Sequence, residues 1–108
     1  MEQGNYAKAE EYLRRALAID EDTLGPDHPD VATTLNNLAR AHEKRQEYAE
    51  AEPLYKRSLA IREEAFGPNH PRVAVSLENL AELYRASGRE DEALPLERRA
   101  QGIRSRGR

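Results

Sequence analysis

Cysteine is absent from the 108 residues, which removes disulfide frameworks, thiol nucleophiles and thiolate metal sites together. No apolar run is long enough to span a bilayer, and Met1-Glu2-Gln3-Gly4-Asn5 has neither the basic nor the apolar region of a signal peptide. The expected setting is therefore the cytoplasm, with no membrane partner. A phosphate-binding loop is lacking too, because Gly25-Pro26 and Gly67-Pro68 are not followed by the lysine and serine or threonine that such a loop needs. The acid pairs Glu10/Glu11 and Glu63/Glu64 and the run Asp20-Glu21-Asp22 have no serine-centred nucleophile and no converging base beside them. General acid–base work requires positioned reach to one substrate, so no catalytic residue and no enzyme activity is expected.

A chain of this length builds one core and not two. Charged residues make up 34% of it, yet the apolar residues recur at regular intervals, which fits helices with solvated backs better than disorder. The net charge of −3 is uneven: residues 98–108 hold five arginines and no acid, which leaves −8 on the rest. A basic tail can attract nucleic acid. No aromatic is interleaved there for base stacking, so nucleic acid is the least favoured partner.

What the chain does contain is an internal echo. Gly25-Pro26-Asp27-His28-Pro29 returns 42 residues later as Gly67-Pro68-Asn69-His70-Pro71. Tyr6/Tyr48, Ala9/Ala51, Leu17/Leu59, Ile19/Ile61, Leu35/Leu77, Asn37/Asn79, Leu38/Leu80 and Ala39/Ala81 keep the same register. A unit of that size cannot bury its apolar face alone, so neighbouring units must stack into one continuous core. Glycine suits the left-handed residue after a helix, and Pro29 and Pro71 suit the first helical position. Behind them Val31, Thr34, Leu35, Leu38, Ala39 and Ala41, and then Val73, Leu77, Leu80, Ala81, Leu83 and Tyr84, form stripes of helical and not strand period. With further breaks near 45–47 and 87–89, the pattern predicts an all-α chain of five helices over about 5–24, 29–45, 48–66, 71–87 and 90–104.

Pro53 and Pro95 fall inside two of these helices, where each forfeits one hydrogen bond and bends the helix slightly near its start. Ala39 opposite Ala51, and Ala81 opposite Ala93, let antiparallel axes come close, with Leu35, Leu38, Tyr55 and Leu59 filling the space around them. His28 and His70 occupy equivalent loops, about 10 Å apart if neighbouring helices set the spacing. That is too far for one shared ion, so they are expected to order their loops by capping or by packing under the proline. No metal ligand and no cofactor is expected.

These residues resemble the tetratricopeptide repeat (TPR), and in particular its long variety in kinesin light chains. The general repeat pairs Leu-Ala/Gly-x-x-Tyr on one helix with Tyr-x-x-Ala and a later alanine on the next. Leu38-Ala39-x-x-His42 with Tyr48-x-x-Ala51, and Leu80-Ala81-x-x-Tyr84 with Ala93 and Ala100, match it. The 42-residue period in place of 34, Leu35 to Ala39, Ala51 to Leu59 and both Gly-Pro-x-His-Pro loops carry the light-chain likeness. The resemblance implies an α-α superhelix, a TPR solenoid of antiparallel helix pairs forming a single domain over 1–104. It would comprise the second helix of a partial repeat at about 5–24, full repeats at about 29–66 and 71–104, and a basic tail at 105–108.

The resemblance further implies a non-catalytic scaffold that binds a protein or peptide segment on a concave face lined by first helices. It carries that role onto Thr33, Asn36, Arg40, Glu43 and Lys44 of one helix and Val75, Glu78, Asn79, Glu82 and Arg85 of the next. Asn36 is expected to hold a peptide backbone, Arg40, Lys44 and Arg85 to read charge, and Asn37 and Asn79 to fix the helix pair in part. Because acids stand among these cations, the expected ligand is a short mixed-charge or partly apolar peptide held at about micromolar affinity or weaker.

Departures from the repeat are informative. His42 stands where tyrosine is usual, Ser58 where alanine is usual, and Glu90 where the other copies have Tyr6 and Tyr48. In the last helix Glu97, Gln101 and Gly102 replace Tyr55, Leu59 and Ala60, a polar drift that a capping helix needs. The other end is different: the chain opens on a second-type helix, so the face of Tyr6, Ala9, Leu13 and Ala16 is expected to lack its usual cover. Two covers are open, a longer array to which this chain belongs or a second copy in a homodimer, which is the alternative reading of function.

Overall fold

The computed structural model describes residues 2–106, with side chains from Asn5 onward. Helices α1 (Glu2–Leu24), α2 (Pro29–Lys44), α3 (Tyr48–Phe66), α4 (Pro71–Ala86) and α5 (Glu90–Arg106) follow one another, and no strand occurs among the described residues. The expected boundaries shift by one to three residues: α1 begins three earlier, α2 and α4 each end one earlier, and α5 takes in Ser105 and Arg106 of the expected tail. Arg108 and its neighbour Gly107 lie outside the described residues. No described helix is long and apolar enough to cross a membrane.

The Gly-Pro-x-His-Pro loops turn the chain by a repeated device. Gly25 and Gly67 take φ of 98° and 91°, a region that side chains with a Cβ avoid. Three residues on, His28 Nδ1 accepts from the Asp30 N–H at 3.0 Å and His70 Nδ1 from the Arg72 N–H at 3.0 Å, so both histidines are N-caps as expected. An arginine from the following second-type helix then holds each loop: Arg57 donates to Pro26 O at 3.0 Å and pairs with Glu21 at 2.6 Å. Arg99 repeats this with Pro68 O at 3.3 Å and Glu63 at 2.6 Å. Glu21 and Glu63, two of the acids that invited a catalytic reading, are therefore loop staples.

Each helix packs against its chain neighbours, and α2 also approaches α4, whereas α1, α3 and α5 make no comparably close approach to one another. First-type helices thus lie on the inner, concave side and second-type helices on the outer, which makes the molecule an all-α helical-repeat solenoid. The alanine pairs explain the close contacts, since Ala39, Ala51 and Ala93 are fully buried and Ala81 is nearly so. Around them Tyr55, Leu80, Leu83 and Tyr84 form one cluster, Val31, Ala32, Leu35 and Ile61 a second, and Val73, Ala74, Leu77, Ala100 and Ile103 a third. The buried Ser58, Arg62 and Ser76 are joined to the stack. Ser58 Oγ donates to Ala32 O at 2.8 Å, and Arg62 donates to Ser76 Oγ at 3.0 Å and Arg72 O at 3.3 Å. Burial, and then the like charge of Arg72, pushes the Arg62 pKa down.

Glu52 shows how the repeats are tied electrostatically. Its carboxylate accepts from Arg89 at 2.7 Å, from the Tyr84 hydroxyl at 3.1 Å and pairs with Lys56 at 2.9 Å. Arg89 first, helped by Lys56 and Tyr84, holds its pKa down at about 2 against the ordinary 4.5. A carboxyl with a depressed folded pKa contributes stability that is present above the unfolded value and lost as pH falls toward the folded one. Thermal unfolding followed by circular dichroism is therefore expected to show stability falling between about pH 4.5 and 2, with Glu52→Gln flattening part of that slope. Parallel curves for the two proteins would contradict this assignment.

Candidate functional site

The inner side presents most of the residues expected there, though not in one condition. Thr33, Arg40 and Lys44 on α2 and Val75, Glu78, Glu82 and Arg85 on α4 are exposed, while Glu43 and Asn79 are half-buried. Arg40 Nη2 donates to Asn79 Oδ1 at 3.3 Å, which joins the two first-type helices across the open face. Glu43 Oε1 accepts from the Tyr55 hydroxyl at 2.8 Å. Burial and the like charge of Glu82 outweigh that bond and raise the Glu43 pKa.

Two charges expected to meet a ligand are engaged by α5. Arg85 grips Glu97 with both nitrogens at 2.6 and 2.7 Å, and Arg104 grips Glu78 in the same way at 2.7 Å. These fork pairs hold Glu97 and Glu78 below the usual carboxylate range. They also place charge at the free end of the stack formed by α4 and α5, where Glu97 and Gln101 stand in the positions of Tyr55 and Leu59 of the preceding repeat.

Asn36 is placed differently from the expectation. It is buried at 6% exposure, and its Oδ1 accepts no hydrogen bond among the described residues, so it does not stand on the open face to hold a peptide backbone. The physical reason is α4, which packs beside α2; the equivalent residue of the next repeat, Glu78, is exposed. Asn37, the neighbouring asparagine, faces outward.

Asn37 instead joins the end of the stack. With Arg40, Ala41 and Lys44 of α2 and Tyr6, Ala9 and Leu13 of α1 it lines a shallow, largely apolar depression of about 260 Å³. Ala16 lies one turn further along α1 and is half-buried. Tyr12 and Ile19 extend this face with exposures of 71% and 61%, although Ile61 and Ile103, in the same register, are only 4% exposed. Neither was among the residues expected on the face. The 42-residue match of Ile19 to Ile61 was the signal that could have found the latter.

One histidine cluster escapes sequence reasoning because its members come from separate helices. Glu10, His42 and Glu47 bring donor atoms within 4.8 Å of one another. Arg14 Nη2 lies 3.0 Å from His42 Nε2, and His42 Nδ1 lies 2.8 Å from Glu47 Oε1. A guanidinium can only donate, so Nε2 accepts and Nδ1 carries the proton to Glu47. Arg45 completes the group at 2.8 Å from Glu10. Burial pushes the Glu10 carboxyl up, but Arg14, by its hydrogen bond and its charge, and Arg45 bring it below its ordinary value. Two guanidinium groups thus supply the positive charge that a metal would bring, and the cluster reads as an ion-paired joint. Glu52, Lys56, Tyr84 and Arg89 build the same joint one repeat later.

Helices of two kinds in a fixed register, with an open inner face and no converging reactive groups among the described residues, define a helical-repeat scaffold for protein interactions. The chain belongs to the tetratricopeptide repeat family, whose family model matches residues 1–64 and 41–106, and it is of the kinesin light chain type. Such repeats are generally non-catalytic. Among solved structures it is similar to BtubC (BKLC) from P. vanneervenii, with a TM-score of 0.90 and 31% identity over 95% of this chain and 41% of that one. It is also similar to the kinesin light chain nearly identical TPR-like repeats of Podosopora anserina, with a TM-score of 0.87 and 30% identity over 97% of this chain and 50% of that one. The chain thus spans half or less of the length of these structures. No curated protein sequence matches it.

Proposed function

We propose that the inner face of α2 and α4 binds a short protein segment of mixed charge, without catalysis, in a cytoplasmic setting. The observation that carries this reading is the Arg40–Asn79 bridge at 3.3 Å, around which Thr33, Lys44, Val75 and Glu82 stand exposed. A weak side-chain bond on an open face is easily exchanged for a bond to a peptide carbonyl or carboxylate. Arg40 is the first residue to engage a ligand, because Arg85 must first give up its fork with Glu97. The groove of two first-type helices is small, so affinity is about micromolar or weaker.

Peptides selected from a random library on the 108-residue chain provide the test, with affinity read by fluorescence polarisation. Arg40→Ala with Arg85→Ala is expected to weaken binding about ten-fold or more while circular dichroism shows unchanged folding, and Arg40→Ala alone is expected to account for most of the loss. Binding that ignores both substitutions would move the site elsewhere.

A second reading, self-association through the α1 face, is favoured by a different observation. Tyr12 and Ile19 expose apolar surface beside the depression lined by Tyr6, Ala9 and Leu13, and apolar surface gathered in one place is worth covering.

A further inference from the structure

We infer an oxyanion subsite in the wall of the inner face, between α2 and α4, formed by Thr33 and the buried guanidinium of Arg62. A free anion or the acidic side chain of a bound segment can fill it.

Arg62 is a buried charge without a counter-charge. It is 5% exposed, and its partners are all neutral: Arg72 O at 3.3 Å, Ser76 Oγ at 3.0 Å and Thr33 Oγ1 at 3.4 Å. Charges taken out of water are ordinarily paired, because burial strips their hydration. A lysine there could shed its proton, but arginine keeps its charge. Acids of the adjoining turns are directed elsewhere: Asp30 towards His28 at 3.9 Å, Glu63 to Arg99 at 2.6 Å and Glu78 to Arg104 at 2.7 Å. Arg72 adds a second positive charge. Its guanidinium lies over Phe66, 5.7 Å from the ring centre, and pairs with no acid among the described residues.

The next repeat shows which chemistry an arginine in this register takes. Arg104 and Glu78 stand 42 residues after Arg62 and Asn36, and there a carboxylate receives the guanidinium in a fork at 2.7 Å. Position 36 offers an amide instead, itself buried, whose Oδ1 accepts no hydrogen bond among the described residues. The first repeat thus keeps the cation of this pair without its anion.

Thr33 gives access, being exposed on the inner face. A guanidinium can only donate, so the Thr33 hydroxyl accepts from Arg62, and its own proton goes to no described acceptor. At 3.4 Å that contact is long for a hydrogen bond and easily exchanged. An entering oxygen takes Arg62 Nη2 as one donor and the rotated hydroxyl as the other, while Arg72 keeps the surrounding field positive. Donors set side by side suit carboxylate or phosphate better than a halide.

Nuclear magnetic resonance of the isotope-labelled 108-residue chain tests the site, with chloride replaced by inorganic phosphate at constant pH and ionic strength. Saturable shifts of the Arg62 side-chain Nε–H and of the Thr33 and Ser76 amides are expected, with Kd of about 1–10 mM. Thr33→Val is expected to weaken binding about five-fold. Asn36→Glu, which supplies a carboxylate from within, is expected to weaken it about ten-fold or more and to move the Arg62 signal without added anion. Circular dichroism verifies folding, and Thr33 is exposed, so its variant decides the matter if Asn36→Glu does not fold. A second titration with N-acetylglutamate amide distinguishes the sources: tighter binding than phosphate assigns the site to an acidic side chain, weaker binding to a free anion. Shifts that rise linearly with both probes, that gather on exposed arginines such as Arg40 and Arg98, or that are the same in Thr33→Val overturn the site. Because phosphate needs no peptide, failure here is separate from failure of the inner-face reading. Library peptides that depend on Arg40 in a chain that ignores both anions would remove this subsite alone, and anion binding in a chain that selects no peptide would remove that reading alone.

Discussion

Leu35→Ala and Leu77→Ala will each cost about 2–5 kcal/mol of folding stability. Both leucines are fully buried, and they occupy equivalent places 42 residues apart, Leu35 with Val31, Ala32 and Ile61, Leu77 with Val73, Ala74, Ala100 and Ile103. Truncation removes three carbons from water-free surroundings and leaves a cavity that regular helices cannot close. The two variants should lose similar amounts, because the same element pair surrounds each site, and the loss is large beside the 5–15 kcal/mol that holds a typical small domain. Urea unfolding followed by circular dichroism measures both. A loss under about 1 kcal/mol at either site would mean that its cluster is less tightly packed than the burial indicates.

Ala39→Leu will destabilise by about 1–3 kcal/mol, through crowding in place of a void. Ala39 and Ala51 are both without solvent contact, in a cluster with Tyr55, Leu80 and Ala81. A leucine there forces α2 away from α3 or pushes Tyr55 off its place, and Tyr55 is the residue whose hydroxyl donates to Glu43 at 2.8 Å. The packing loss thus reaches the edge of the inner face. A melting temperature equal to that of the unaltered chain would count against the close approach of these helices. Ala39→Gly, which adds no volume, is the control that separates crowding from any change at this position.

Much of this architecture is legible in the chain because its causes are local or strictly periodic. The Gly-Pro-x-His-Pro loops, the caps at His28 and His70 and the alanine pairs each follow from a few neighbouring residues and one repeat length. What was hidden depends on which helix happens to lie alongside. Asn36 and Glu78 share a register, yet α4 lies beside the α2 that carries Asn36, and no further repeat among the described residues covers Glu78; no property of Asn36 itself announces that. His42 looks like a substitute for tyrosine until Glu10 and Arg14 of α1 close around it. Arg85 looks like a ligand-reading cation until Glu97 arrives from α5. Periodicity therefore reveals the frame of the site, and contacts between repeats decide which of its charges can reach a partner.

The loop staples have a mechanical consequence. Arg57 and Arg99 each span the wide outer gap between successive second-type helices, with ion pairs of 2.6 Å and a second bond to the loop, while Arg40 and Asn79 join the inner helices through one longer bond. The outer spine is therefore bridged by arginine side chains, and the inner edge by helix contact together with one longer bond. A change of curvature would act on these bridges and alter the width of the inner face proposed above to hold a protein segment.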